Sequence, residues 1–146
     1  MMLAACAPSP VPPPVVAEVP AVRSASYADA RWGQELLASQ GCIACHSPRQ
    51  PSPVGPSLDS MVRGTRTFQD GTTLDVSGPE GQSYLSDSIT SPSARVVVGF
   101  QPVMPTYAGH LNEAQIMAVL AYLRCFGEGA CEQSPECAEV DACQTH

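Results

Sequence analysis

Within five residues, Cys42-Ile43-Ala44-Cys45-His46, the chain places two thiols two residues apart and an imidazole directly after the second. Two thiols at this spacing can add across the two vinyl groups of one haem, and the adjacent histidine then lies under the iron as an axial ligand. A Cys-x-x-Cys redox pair and half of a zinc site are the competing readings. Zinc needs a second ligand pair at workable spacing, and Cys125, Cys131, Cys137 and Cys143, recurring every sixth residue, match that poorly. Covalent attachment of one haem c through Cys42 and Cys45, with His46 as iron ligand, is therefore the expectation.

The rest of the chain must build a cleft for such a group from 146 residues, enough for one compact domain. Three segments are predicted: a tether over 1–26, a haem domain over 27–126, and an acidic cysteine-rich tail over 127–146. Residues 7–26 are rich in Pro, Ala, Val and Ser with no apolar period, which favours an extended, partly polyproline tether. Helical patterning begins at Tyr27, with Trp32, Leu36 and Leu37 on one face and Gly41 as C-cap. Four prolines between residues 47 and 65 predict loop, with a short helix at most around Leu58 to Arg63. Asp70-Gly71 between two β-prone arms signals a hairpin. A short helix is predicted over Tyr84 to Thr90, a loop over Val96 to Pro105, and a last helix from an N-cap at Asn112 to about Phe126. The fold class is all-α, with a small β-hairpin inserted.

An iron that only carries electrons needs a sixth ligand, and the candidates are Met104, Met61, Met117, His110 and His146. Met104 is favoured, because it lies in Gln101-Pro-Val-Met-Pro105, where two prolines fix φ and lower the entropy of presenting the sulfur. Met117 falls inside the last helix, and Met61 is close in sequence to the attachment motif.

Together, Gly41 to His46, Val54-Gly-Pro-Ser-Leu58, the Asp70-Gly71 hairpin, Tyr84 to Pro92, Val96 to Pro105 and Ala121-Tyr-Leu123 resemble a class I cytochrome c. The chain is most similar to the cytochrome c domain fused to subunit II of some bacterial haem-copper oxidases. The resemblance implies three to four helices around one haem, a carbonyl of Pro56 accepting from the other ring nitrogen of His46, and Gly33 and Leu37 crossing Tyr122 and Leu123. Nothing between Cys6 and Cys42 supplies the Cys, His and Met cluster of a binuclear copper site. Electron entry through copper and the oxidase identity are thus not implied. What the resemblance implies is an electron carrier of a respiratory chain, either free or as the haem subunit of a membrane oxidase or quinol-oxidising complex. A peroxidase or gas-binding module would instead need an open sixth position.

Leu3-Ala-Ala-Cys6 resembles a bacterial lipobox, which places a lipid anchor on Cys6 and the protein on the periplasmic side of a bacterial membrane. That compartment permits disulfides, and the four tail cysteines are expected to form two, in one of three pairings. No run of eighteen apolar residues predicts a spanning helix. Seven arginines, no lysine and a net charge of −7 argue against nucleic acid as a partner. They also argue against a lysine-rich docking face, so redox partners are expected to offer an apolar or weakly basic patch. Leu58, Ile89, Phe100 and Val103 are expected to form the apolar wall, and Arg63, Arg66 and Arg95 are possible propionate partners.

Overall fold

The computed structural model describes residues 27–50 and 52–128. Three α-helices and one two-stranded antiparallel sheet make up its regular structure: α1 (Tyr27–Ser39), β1 (Thr65–Thr67), β2 (Thr73–Asp75), α2 (Pro79–Thr90) and α3 (Glu113–Glu128). Single 3-10 turns at Cys42–Ala44, Leu58–Ser60 and Pro92–Ala94 shape the connections. None of the described helices is long and apolar enough to cross a membrane.

The centre of the fold is α3, which packs against α1, α2 and the Leu58–Ser60 turn. Ile116, Ala118, Val119, Leu120, Ala121, Tyr122 and Leu123 are all buried, so apolar side chains cover most of its circumference. Its start is fixed by a capping box. Asn112 Oδ1 accepts from the Gln115 N–H at 2.9 Å, and Gln115 Oε1 accepts from the Asn112 N–H at 2.9 Å, satisfying two end donors reciprocally. The Asn112 cap expected from the sequence is thus present.

The main helix contact, α1 on α3, depends on the missing side chain of Gly33. A Cβ there would lie 2.0 Å from the Ala118 carbonyl oxygen, closer than any real contact, and 3.0 Å from Tyr122 Cβ. The expected crossing of Gly33 with Tyr122 is present, with Leu37 and Leu123 both buried beside it. Trp32 does not share this face. The buried α1 positions are Ala30, Gly33, Leu36 and Leu37, whose spacing defines the stripe, and Trp32 falls outside it with 40% of its surface exposed.

Two element boundaries differ from the sequence expectation. Helix α2 starts at Pro79, five residues before Tyr84, because Gly78 serves as N-cap and proline at the first helical position loses no hydrogen bond. The expected helix at Leu58 to Arg63 shrinks to one 3-10 turn followed by bends. The hairpin forms in the register Thr65↔Asp75, Arg66↔Leu74, Thr67↔Thr73. Its turn runs over Phe68–Gly71, closed by Gly71 N–H to Phe68 O at 2.9 Å, with φ +84° at Gly71 alone. Asp70 keeps a negative φ, so the pair does not form the two-residue turn that Asp-Gly most often makes. Phe68 instead folds inward to 1% exposure, its ring 5.2 Å from that of Tyr84.

The tether, Cys6, His146 and the tail cysteines Cys131, Cys137 and Cys143 lie outside the described residues. Cys125, in the last turn of α3, is disulfide-bonded.

Candidate functional site

Gly41, at φ +75°, ends α1 and turns the chain into the 3-10 turn Cys42–Ala44. In a 3-10 turn residues three apart eclipse one another, so the side chains of Cys42 and Cys45 project to one side, and both line the same cleft. Burial pushes the Cys42 thiol above its ordinary pKa, partly offset by a hydrogen bond with the Tyr107 hydroxyl. The His46 N–H closes the motif onto Cys42 O at 2.9 Å, which brings the imidazole into the cleft as well.

The imidazole is oriented by the segment that follows. His46 Nδ1 lies 2.9 Å from the Pro56 carbonyl oxygen. A carbonyl can only accept, so Nδ1 carries the proton, and in the neutral ring Nε2 keeps its lone pair for a metal. Gly55 lies against the ring. A Cβ on it would sit 2.5 Å from Cε1 and 2.8 Å from Nδ1 of His46, so only glycine lets the backbone support the imidazole this closely.

Met104 enters the cleft from a loop with no regular structure of its own, held at both ends. Upstream, the Val98 N–H donates to Thr67 O at 2.9 Å and the Gln69 side-chain amide donates to Phe100 O at 2.8 Å, both from the hairpin. Downstream, the Thr106 hydroxyl donates to Thr90 O at 2.7 Å and the Tyr107 N–H to Ile89 O at 3.0 Å, both at the end of α2. Tyr107 OH reaches across to Gln40 O at 2.9 Å.

The cleft so enclosed has a volume of about 210 Å³, against roughly 10–15 Å³ for one water. Its lining is mainly apolar, with the expected wall residues Leu58, Ile89, Phe100 and Val103 all part of it. A hollow this size lined by apolar groups is poorly suited to water and well suited to a large apolar ligand. Two thiols on one side, one imidazole with a free Nε2 and one thioether fit a covalently attached haem.

Of the possible iron ligands, Met104 and Met61 reach the cleft. Met117 sits exposed on α3, with the Gln82 amide 3.8 Å from its sulfur, and His110 is exposed and does not line the cleft. Arg66 and Arg95 line the cleft. Arg63 does not; its Nε donates to Asp59 O at 3.3 Å on the exposed surface, because the shortened 3-10 turn points it outward. Gly55, Gln69, Thr106 and Tyr107 were not singled out in the sequence. Only Gly55 had a visible signal there, as part of the Val54-Gly-Pro run.

No curated protein matches the chain. A family model described as Cytochrome c matches residues 30–125, spanning α1 from Ala30, the attachment turn, the hairpin, α2, the methionine loop and α3 as far as Cys125. The chain belongs to the cytochrome c family, whose members carry covalent haem c and typically transfer electrons.

Proposed function

We propose that the protein is a monohaem electron carrier of a respiratory chain, with iron held between His46 and Met104. The observation that carries this reading is the convergence of the two side chains on one apolar cleft, His46 oriented through Pro56 and Met104 fixed by loop ties at both ends. When bound, the haem supplies an iron that exchanges one electron between its ferric and ferrous states. The chain supplies the conditions for that exchange. Cys42 and Cys45 fix the ring by two thioether links. The Pro56 hydrogen bond raises the basicity of His46. A thioether from Met104 is a soft ligand that favours ferrous iron and raises the potential. Leu58, Ile89 and Phe100 exclude water, and Arg66 and Arg95 at the cleft can pair with propionates.

The same arrangement disfavours a peroxidase or gas-binding role, since both need a vacant or readily vacated position. Carbon monoxide distinguishes them. The ferrous wild-type protein is expected to resist it, and ready binding would overturn the six-coordinate reading. The pigment is also expected to withstand organic-acid extraction, which removes haem that is not covalently held.

Several features of setting belong to the same proposal. A lipid anchor on Cys6 and the tether hold the domain on the periplasmic side of a bacterial membrane, as a free carrier or as the haem subunit of an oxidase or quinol-oxidising complex. The tail cysteines pair as two disulfides, one including Cys125. Redox partners offer an apolar or weakly basic patch to the cleft mouth. Support for the apolar part comes from the rim, where Val54 and Val103 are exposed and, among the described residues, no acidic side chain lines the cleft. Faster turnover with a strongly acidic acceptor than with a neutral one at low salt would contradict this docking mode.

A further inference from the structure

We propose that Tyr107 is a positioning residue for Met104, its hydroxyl strapping the methionine loop to the foot of the attachment motif. This deepens the His46/Met104 reading and rests on it. Tyr107 follows Met104 by three residues, and its half-buried ring forms part of the cleft wall. Its hydroxyl donates to Gln40 O at 2.9 Å, directly before Gly41-Cys42. That carbonyl lies past the last turn of α1, where helix geometry leaves acceptors without an intrahelical partner.

The main chain at Tyr107 is equally fixed. Its N–H donates to Ile89 O at 3.0 Å, and its carbonyl accepts from the N–H groups of His110 at 3.0 Å and Leu111 at 3.1 Å. The residue is thus a post anchored in α2 and in the lead-in to α3, with its side chain reaching to the chain that holds the thioether links. For Met104 to leave the iron, the loop must move relative to that motif. The strap opposes the movement by tying the methionine loop to the attachment side of the cleft through a side chain.

The test is imidazole binding to the ferric, haem-loaded full chain, which displaces Met104 and reports how readily the loop releases it. Tyr107→Phe keeps the ring and removes the hydroxyl. We expect its apparent imidazole affinity to rise about fivefold over wild type, the ratio one net hydrogen bond supports. Ala121→Gly, buried in α3 and not part of the cleft lining, serves as a control for general destabilisation, followed by far-ultraviolet circular dichroism. If both variants rise together, or Tyr107→Phe matches wild type, the strap is overturned. In the wild type, the far-red band of methionine-bound ferric iron keeps the two questions separate. Its absence overturns the His46/Met104 reading and the strap with it; its presence with unchanged Tyr107→Phe affinity overturns the strap alone.

Discussion

The ring nitrogen Nδ1 of His46 and the carbonyl oxygen of Pro56 lie 2.9 Å apart, across a glycine whose backbone touches the same ring. Gly55→Ala is expected to break this relationship, because the new Cβ meets Cε1 at 2.5 Å and the imidazole must rotate away from Pro56. A less basic imidazole stabilises ferric iron less. The reduction potential should therefore rise by several tens of millivolts, 59 mV being about one decade for a one-electron couple. Protein-film voltammetry measures it, and an unchanged potential with intact haem content would contradict the role given to the bond.

Gly33→Ala tests the helix crossing. A methyl group 2.0 Å from the Ala118 carbonyl oxygen cannot be accommodated without separating α1 from α3. The cost is expected to be about 2 kcal/mol, which lowers the melting temperature of a domain this size by roughly 10 °C. Differential scanning calorimetry of the haem-loaded protein checks it.

Asn112→Ala removes half of the capping box of α3. A loss of about 1 kcal/mol follows, seen as a fall of roughly 4–8 °C in melting temperature. The visible spectrum should not change, because neither Asn112 nor Gln115 lines the cleft.

Much of this organisation is legible in the chain itself, for identifiable reasons. The attachment motif, the Asn112 cap and the apolar period of α3 each depend on neighbours within a few residues, where spacing alone dictates geometry. Pro56 was reached only through family resemblance, since its carbonyl meets His46 from ten residues away. Trp32 departs from its expected face because an apolar side chain near a helical stripe need not lie on it. Its exposure follows from where α3 crosses, a tertiary fact. The start of α2 is hidden in the sequence because Pro79 and Gly81 look like breakers unless Gly78 is the cap. Gln69 and Tyr107 gave no signal because their partners, Phe100 and Gln40, lie 31 and 67 residues away in the chain.

The hairpin turn carries a pH dependence. Asp70 Oδ1 accepts from the Thr72 hydroxyl at 2.7 Å and the Thr72 N–H at 2.9 Å, and these bonds hold its carboxyl below the usual carboxylate range. A depressed folded pKa contributes stability that is present above the unfolded pKa and lost as pH falls through the folded value. The urea midpoint of the wild type should therefore drop on acidification below the ordinary aspartate range. Asp70→Asn should show a smaller drop over the same interval. Equal drops in both proteins would remove Asp70 as a contributor.

The proposal that His46 and Met104 would both hold the iron is tested most directly by the absorption spectrum of the oxidised, haem-loaded protein beside that of Met104→Ala. A weak far-red charge-transfer band in the wild type that disappears in the variant is the predicted result. A band that survives the substitution, or a wild type that never shows one, would contradict it.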